Sequence, residues 1–148
     1  DAAAVVSQLR DRGIPELSAE QLAGARVCAG VPSFGHELDE DTFPAEAGLE
    51  GRAVNFEKGC YVGQETVARM HYKGKPNRHL RLLRAGSPLV SGTIVTGDDG
   101  RELGKIGTVA AGENGDSLAL AVLRREGEPG SQVDAGGVAA TIFELPVV

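Results

Sequence analysis

The segment "ELGKIGTVAAGENGDSLALAVLRR", residues 102–125, predicts two adjacent β-strands joined by a tight turn. Its two halves are rich in Val, Ile, Leu and Ala, and the "GENG" between them is a turn signal made of glycine and asparagine. The second half, "SLALAVLRR", alternates only partly between apolar and polar residues, so one or both of its faces should be buried. The segment therefore indicates that the second half of the chain is built from β-strands.

Further short strands are predicted on both sides of this pair. They are bounded by turn-rich segments, among them "GDDG", "EGEPG" and "AGG". The predicted strands are residues 78–84, 93–96, 102–110, 117–124 and 138–145. Five or six short strands with tight turns are typical of a small antiparallel barrel or sandwich.

The first half of the chain is predicted to be helical and irregular. A helix over residues 1–12 would carry its apolar residues on one side. A second helix would begin at Ser18, whose side chain would form a capping box with Gln21. The remaining predictions for this half are a loop at 31–52, a short strand at 53–56 and a helix at 64–70.

The second helix is expected to pack through a small apolar face. Leu22, Ala25 and Ala29 share that face at helical spacing, and Cys28 lies close to it. Because a free cysteine behaves as a small hydrophobic residue, we expect Cys28 to be buried.

Composition excludes several classes of protein. The chain has 148 residues, 41% of them hydrophobic and 24% charged, as in one ordinary globular domain. It has neither an apolar run of membrane-spanning length nor a signal peptide, so no membrane association and a cytoplasmic location are expected. The two cysteines form no CxxC pair, so neither a disulfide framework nor a metal site is expected. The net charge of −6 argues against non-specific binding of nucleic acids.

Charge is distributed unevenly along the chain. Residues 27–51 contain six acids and no Lys or Arg, whereas residues 66–97 contain six Lys and Arg and no acid. One interpretation is two solvated faces that oppose each other. The other is a local anion-binding surface on the basic stretch, which could attract a polycarboxylate or phosphate ligand.

The segment "NFEKGCYVGQE", residues 55–65, has the composition of a functional loop. Cys60 lies between Gly59 and Gly63, and glycines allow sharp turns and a close approach of the main chain to a ligand. Lys58 and the amides before the following helix would favour the thiolate, which is the reactive form of cysteine. The alternative is an inert, buried Cys60, and the spacing of residues leaves both open.

"KGCYVGQE", residues 58–65, resembles the signature of the YgfZ family of folate-binding proteins. Upstream, "RVCAGVPSFGHELDEDTFPAEAGL", residues 26–49, is similar to a run shared by that family and the glycine-cleavage aminomethyltransferases. Downstream, "TVARMHYKGKPNRHLRLL" resembles the stretch that leads into their C-terminal barrel. The octapeptide favours the YgfZ branch, because the enzymes have no version of it that carries a cysteine.

The resemblance implies an α+β fold. Residues 1–77 would be a helical and loop remnant of a ferredoxin-like folate-binding domain, and residues 78–148 would be the C-terminal antiparallel β-barrel. Family members are longer than this chain, so the resemblance also implies that an N-terminal half of the same protein is a partner and that the folate site is incomplete here.

The resemblance also implies a function and a set of site residues. Family members act in assembly or repair of iron–sulfur clusters, and so in cluster-dependent tRNA modification, with tetrahydrofolate as ligand and cluster assembly or client proteins as partners. Cys60 would be the essential thiol, assisted by Lys58. The residues that would bind the cofactor are Glu46, Tyr61, Gln64, Glu65 and Arg69. Glu46 matches a carboxylate that contacts the pterin in the aminomethyltransferases, and two carboxylate oxygens suit the pterin's paired N–H donors.

The same residues also admit other interpretations. Glu46 could be a solvated loop acid and Tyr61 a packing residue. The resemblance implies an assembly factor more than an enzyme. The alternative function is an aminomethyltransferase that transfers a one-carbon unit to tetrahydrofolate. A third possibility is a barrel that only packs other domains together.

Overall fold

The computed structural model describes residues 1–145, apart from the side chain of Glu113. The four helices in this range are α1 (Ala2–Asp11), α2 (Ala19–Cys28), α3 (Glu50–Ala53) and α4 (Gln64–Lys73). Six strands follow them, namely β1 (Arg78–Ala85), β2 (Ile94–Thr96), β3 (Glu102–Ala111), β4 (Ser117–Arg124), β5 (Gln132–Ala135) and β6 (Ala139–Phe143). The last three residues of the predicted barrel domain, 146–148, lie outside the described range.

The strands form a closed antiparallel barrel in the order β1-β4-β3-β2-β5-β6, with β6 pairing back to β1. The predicted α+β fold with a small antiparallel barrel is therefore confirmed. The turn between β3 and β4 contains Asn114 in the left-handed conformation, at φ 61°, in keeping with the predicted turn signal. β5 is not among the predicted strands, because "QVDA" is too short and polar to read as a strand from its sequence.

β4 is buried on both faces, and the reason is its place between two hydrophobic clusters. Ala119, Ala121 and Leu123 point into the barrel interior. Leu120 points outward and belongs to a second buried cluster with Val27 of α2. An alternating strand would leave one face in water, so the near-continuous apolar run of β4 follows from α2 covering the barrel wall.

α2 begins as the sequence predicts but packs through a different face. The Ser18 side chain accepts from the Gln21 amide, and the Gln21 side chain accepts from the Ser18 amide. Val27 is the buried residue of the helix, and a Cβ at Gly24 would lie 4.0 Å from the Ala110 Cβ of β3. Close approach to the barrel favours this small-residue face.

The prediction that Cys28 is buried is wrong. Cys28 is exposed, as are Leu22 and Ala25 of the predicted face. Cys28 borders an open groove whose other side includes the barrel residues Leu82 and Leu118. The helical period was correct, but it did not identify the face that the barrel would contact.

The segment between α2 and α4 also differs from prediction in two places. Residues 50–52, predicted as loop, belong to the short helix α3. Residues 53–56 do not form a strand: α3 ends at Ala53, and Val54 is extended without a strand partner. The helix predicted at 64–70 is present and runs three residues further, to Lys73. The division of the chain into two domains at 77/78 stays a prediction.

Glu37 fixes the loop to the barrel. Its buried carboxylate accepts from the Ser33 amide at 2.8 Å and from the Thr108 amide of β3, and it lies 3.5 Å from the Arg26 guanidinium. The Thr108 contact lies where the register of β3 against β4 shifts between Ile106 and Val109. A carboxylate from the loop therefore satisfies a strand amide that the irregular ladder leaves free.

No helix within residues 1–145 combines the length and the apolar character needed to cross a membrane.

Candidate functional site

The "KGCYVGQE" segment forms an exposed loop that leads into α4. Asn55 starts it, since its side-chain oxygen accepts from the amides of Glu57 at 2.9 Å and Lys58 at 3.2 Å. Gly63 ends it as the N-cap of α4, with φ 85°, a conformation that favours glycine. Gly63 therefore makes the sharp turn that the sequence predicted at a glycine of this loop.

Cys60 is exposed in the middle of this loop. The Lys58 ammonium lies 4.8 Å from the centroid of the Tyr61 ring, in cation–π geometry. The loop thus presents a thiol to solvent between an anchored cation and the start of a helix. Within the described residues, no group of three or more His, Cys, Asp and Glu side chains could hold a metal ion.

Tyr61 and Gln64 close the loop on itself. The Gln64 side-chain oxygen accepts from the Tyr61 amide at 3.3 Å, and the Gln64 amide donates to the Tyr61 carbonyl at 3.2 Å. The Tyr61 hydroxyl is buried and has no hydrogen-bond partner among the described residues. Gln64 is thus a loop-forming residue, whereas Tyr61 has a polar atom free to contact a ligand.

Glu65 and Arg69 are exposed on α4 at i, i+4 spacing. In residues 1–145, neither side chain takes part in an ion pair. The structure therefore brings five of the predicted site residues into one segment, the loop and the first two turns of α4. A sixth predicted site residue, Lys58, lies in the same loop, after the Asn55 turn.

Glu46 makes its contacts elsewhere, with the first strand of the barrel. Arg78 donates from Nε to Oε1 at 3.1 Å and from Nη2 to Oε2 at 2.9 Å. The Phe43 amide also donates to Oε2 at 3.2 Å, and the Glu46 carbonyl accepts from the Leu80 amide. The hydrogen bonds and charge of Glu46 raise the pKa of Arg78. Glu46 therefore acts in this structure as a buried partner of Arg78, a role that the sequence indicated only through the nearby opposite charges.

The acidic and basic stretches partly oppose each other, as one interpretation of the sequence held. Arg78 pairs with Glu46, and His71 Nδ1 lies 3.4 Å from Glu50 Oε1. The other basic residues nearby behave differently: Arg69, Lys73 and Lys75 are exposed, and none has an ion-pair partner within residues 1–145.

An aromatic cluster beside the loop was not predicted. His71 stacks on Phe56 with ring centroids 4.0 Å apart and planes at 22°. Tyr72 meets His71 edge to face at 4.8 Å and lies 6.0 Å from Phe56. Phe56 and the two α4 residues are separated by the loop in sequence, so only the turn at Gly63 brings them together.

Comparison with known proteins gives two kinds of match. No protein-family model matches the chain. The tRNA-modifying protein YgfZ of Aliivibrio fischeri is 34% identical over 99 residues, which cover 63% of this chain and 31% of that protein. An aminomethyltransferase of Streptomyces avermitilis is 43% identical over 84 residues, which cover 49% of this chain and 22% of that protein.

A solved structure has the same fold. The glycine cleavage system aminomethyltransferase T from Bartonella henselae superposes with a TM-score of 0.80 at 20% identity, over 99% of this chain and 43% of that one. The described residues therefore share the fold of that aminomethyltransferase. Together with the sequence matches this makes the chain YgfZ-like, and the resemblance predicted from its motifs is confirmed. The chain spans 22–31% of the length of the two curated relatives above.

Proposed function

We propose that this chain is part of a YgfZ-type folate-binding factor that acts in assembly or repair of iron–sulfur clusters, and so in cluster-dependent tRNA modification. Cys60 is its working thiol in this proposal. Cluster assembly proteins or their clients are the partners that the thiol contacts, and the N-terminal half expected from the resemblance completes the protein.

The observation that carries the proposal is the exposure of Cys60 within a complete signature. Seven of the eight residues of 58–65, all except Val62, match the signature that the resemblance rests on, and the loop holds the thiol in solvent. A cysteine that served packing would be covered by neighbours, as free cysteines usually are. Cys28 is exposed as well, so exposure alone does not identify the working thiol. Cys60 is chosen because it lies in the family motif and in the loop before α4.

Tetrahydrofolate fits the described residues in part. The buried Tyr61 hydroxyl has no partner within residues 1–145, so it could bond to a ligand. Glu46 fits less well, because Arg78 and the Phe43 amide already use both of its carboxylate oxygens. A pterin contact from Glu46 would require Arg78 to move, and we assign no chemical step to this residue. Gln64, Glu65 and Arg69 stay candidates for cofactor binding.

The test compares the two exposed cysteines. Cells that lack their own YgfZ protein would be supplied with the protein as wild type, Cys60→Ser or Cys28→Ser, and the activity of an iron–sulfur dehydratase would be measured in extracts. We expect loss of activity with Cys60→Ser and wild-type activity with Cys28→Ser, at equal protein levels by immunoblot. Wild-type activity with Cys60→Ser would contradict the role of the thiol.

A second candidate is the aminomethyltransferase reaction, favoured by the 43% identity to the Streptomyces enzyme over 84 residues. The assay is formation of methylenetetrahydrofolate from an aminomethylated carrier protein and tetrahydrofolate. We expect no turnover above that of a heat-inactivated sample. Turnover that is retained in Cys60→Ser would instead support the transferase.

A further inference from the structure

The surface of α4 combines unpaired cations with an exposed aromatic ring. Arg69, Tyr72 and Lys73 stand at positions i, i+3 and i+4, so they share one face of the helix. All three are exposed, and 70% of the Tyr72 surface is open to solvent. Lys75 follows directly after Gly74, the C-cap of the helix. We call these four residues, Arg69, Tyr72, Lys73 and Lys75, the α4 surface.

The cations of the α4 surface differ from Arg78 and Arg84, two basic residues further along the same stretch. Arg78 and Arg84 pair with Glu46 and Asp116, respectively. Within residues 1–145 none of the three α4-surface cations has an acidic partner. Lys73 can stabilise the C-terminal end of the helix dipole, but Arg69 lies in the middle of the helix, where that effect has faded.

The Tyr72 ring is supported from within the protein. It meets the His71 ring edge to face, and His71 is stacked on Phe56 and lies 3.4 Å from Glu50. A side chain held in this way loses little conformational freedom when another flat ring stacks on it. Single-stranded nucleic acids bind to surfaces of this kind, on which an exposed aromatic ring lies beside cations. Their bases stack on the ring, and their phosphates contact the cations.

We propose that the α4 surface binds a single-stranded stretch of nucleic acid, with one base stacked on Tyr72 and phosphates on Arg69, Lys73 and Lys75. This goes beyond the thiol function and does not depend on it. The expectation drawn from the net charge of −6 concerns the chain as a whole, whereas this surface is local. The three cations alone would attract an acidic protein as well as a nucleic acid. The exposed Tyr72 ring favours the nucleic acid, because a base can stack on it.

The experiment measures binding of a fluorescent RNA hairpin with a seven-nucleotide loop by anisotropy, against a fully paired RNA of equal length. Tyr72→Leu should weaken hairpin binding roughly fivefold to a hundredfold without changing its salt dependence, since one base–aromatic stack is lost. Arg69→Gln with Lys73→Gln should weaken binding and reduce the slope of log K against log [salt] by about 1.4, at ~0.7 for each phosphate contact. Circular dichroism would check that each variant keeps its helices.

The matched control is Arg101→Gln with Lys105→Gln, which removes two exposed cations from the barrel. We expect this control to bind the hairpin as the wild type does. The proposal is overturned if the wild type binds neither RNA, if it binds both equally, if Tyr72→Leu has no effect, or if the barrel variant loses as much affinity as the α4 variant.

Discussion

At the scale of single residues, the ion pair of Glu46 and Arg78 links the loop to the barrel through two hydrogen bonds. The Glu46 side chain is 6% exposed and that of Arg78 is 38% exposed, so the carboxylate is buried and its partner reaches solvent. Breaking such a pair by removing one charge leaves the other with unsatisfied hydrogen bonds.

The first prediction concerns this pair. Glu46→Gln should lower the free energy of unfolding by about 1–3 kcal/mol, since a charged partner of two Arg78 hydrogen bonds is lost. Arg84→Gln is the control, because Arg84 is 52% exposed and its pair with Asp116 lies nearer the surface, where loss costs under about 1 kcal/mol. Urea unfolding followed by circular dichroism measures both. Equal effects would contradict the structural role of Glu46.

The second prediction concerns pH. Burial and the charge of Arg81 lower the pKa of His79 below its ordinary value of 6.5, with Glu46 opposing them in part. The unfolded chain therefore takes up this proton at a higher pH than the folded chain does. Stability is thus lost as the pH falls through 6.5. Urea unfolding at pH 7.5 and 5.5 should show a smaller loss in His79→Gln than in the wild type. Equal losses in the two proteins would contradict this role of His79.

The third prediction concerns the two thiols. Both cysteines are exposed, so a colorimetric thiol reagent should titrate two equivalents per folded chain. The sequence predicts instead that Cys28 is buried. If only one equivalent reacts before the protein is denatured, the exposure of both thiols in the structure is contradicted.

At the scale of elements, three of the four described helices, α1, α2 and α4, and most strands followed from local sequence. The capping box at Ser18 and the turn-bounded apolar runs act within a few residues, so they can be recognised directly. The face of α2 that packs, the contact of Glu37 with Thr108, and the absence of a strand at 53–56 depend on partners far along the chain. No spacing rule contains that information.

The fourth prediction tests the contact between the Glu37 loop and β3. A Cβ at Gly107 would lie 2.5 Å from Glu37 Oε1 and 2.9 Å from two of its carbons. Gly107→Ala should therefore cost roughly 1–3 kcal/mol of unfolding free energy through overpacking. Gly86→Ala is the control, because a Cβ there meets no atom within 4 Å. In a Glu37→Ala background the cost of Gly107→Ala should fall, and an unchanged cost would show that the two positions are not in contact.

At the scale of the whole molecule, the barrel and the loop that carries Cys60 are stabilised by different kinds of contact. The barrel has a closed sheet and a buried core, whereas the loop and α4 depend on a few local contacts: the Asn55 turn, the Gln64 bond to Tyr61, and the Phe56–His71 stack. The motif residues of the candidate site could be predicted because they are contiguous. The aromatic cluster and the partner of Glu46 could not, since folding brings them together across a loop or a strand.

The proposed role of Cys60 as the working thiol of a YgfZ-type factor is tested most directly by the modification state of tRNA. Cells without their own YgfZ protein would express the wild type, Cys60→Ser or Cys28→Ser, and mass spectrometry would give the ratio of a cluster-dependent modified nucleoside to its precursor. We expect Cys60→Ser to lower this ratio to that of the deletion strain and Cys28→Ser to restore it. A fully restored ratio with Cys60→Ser would contradict the role of this thiol.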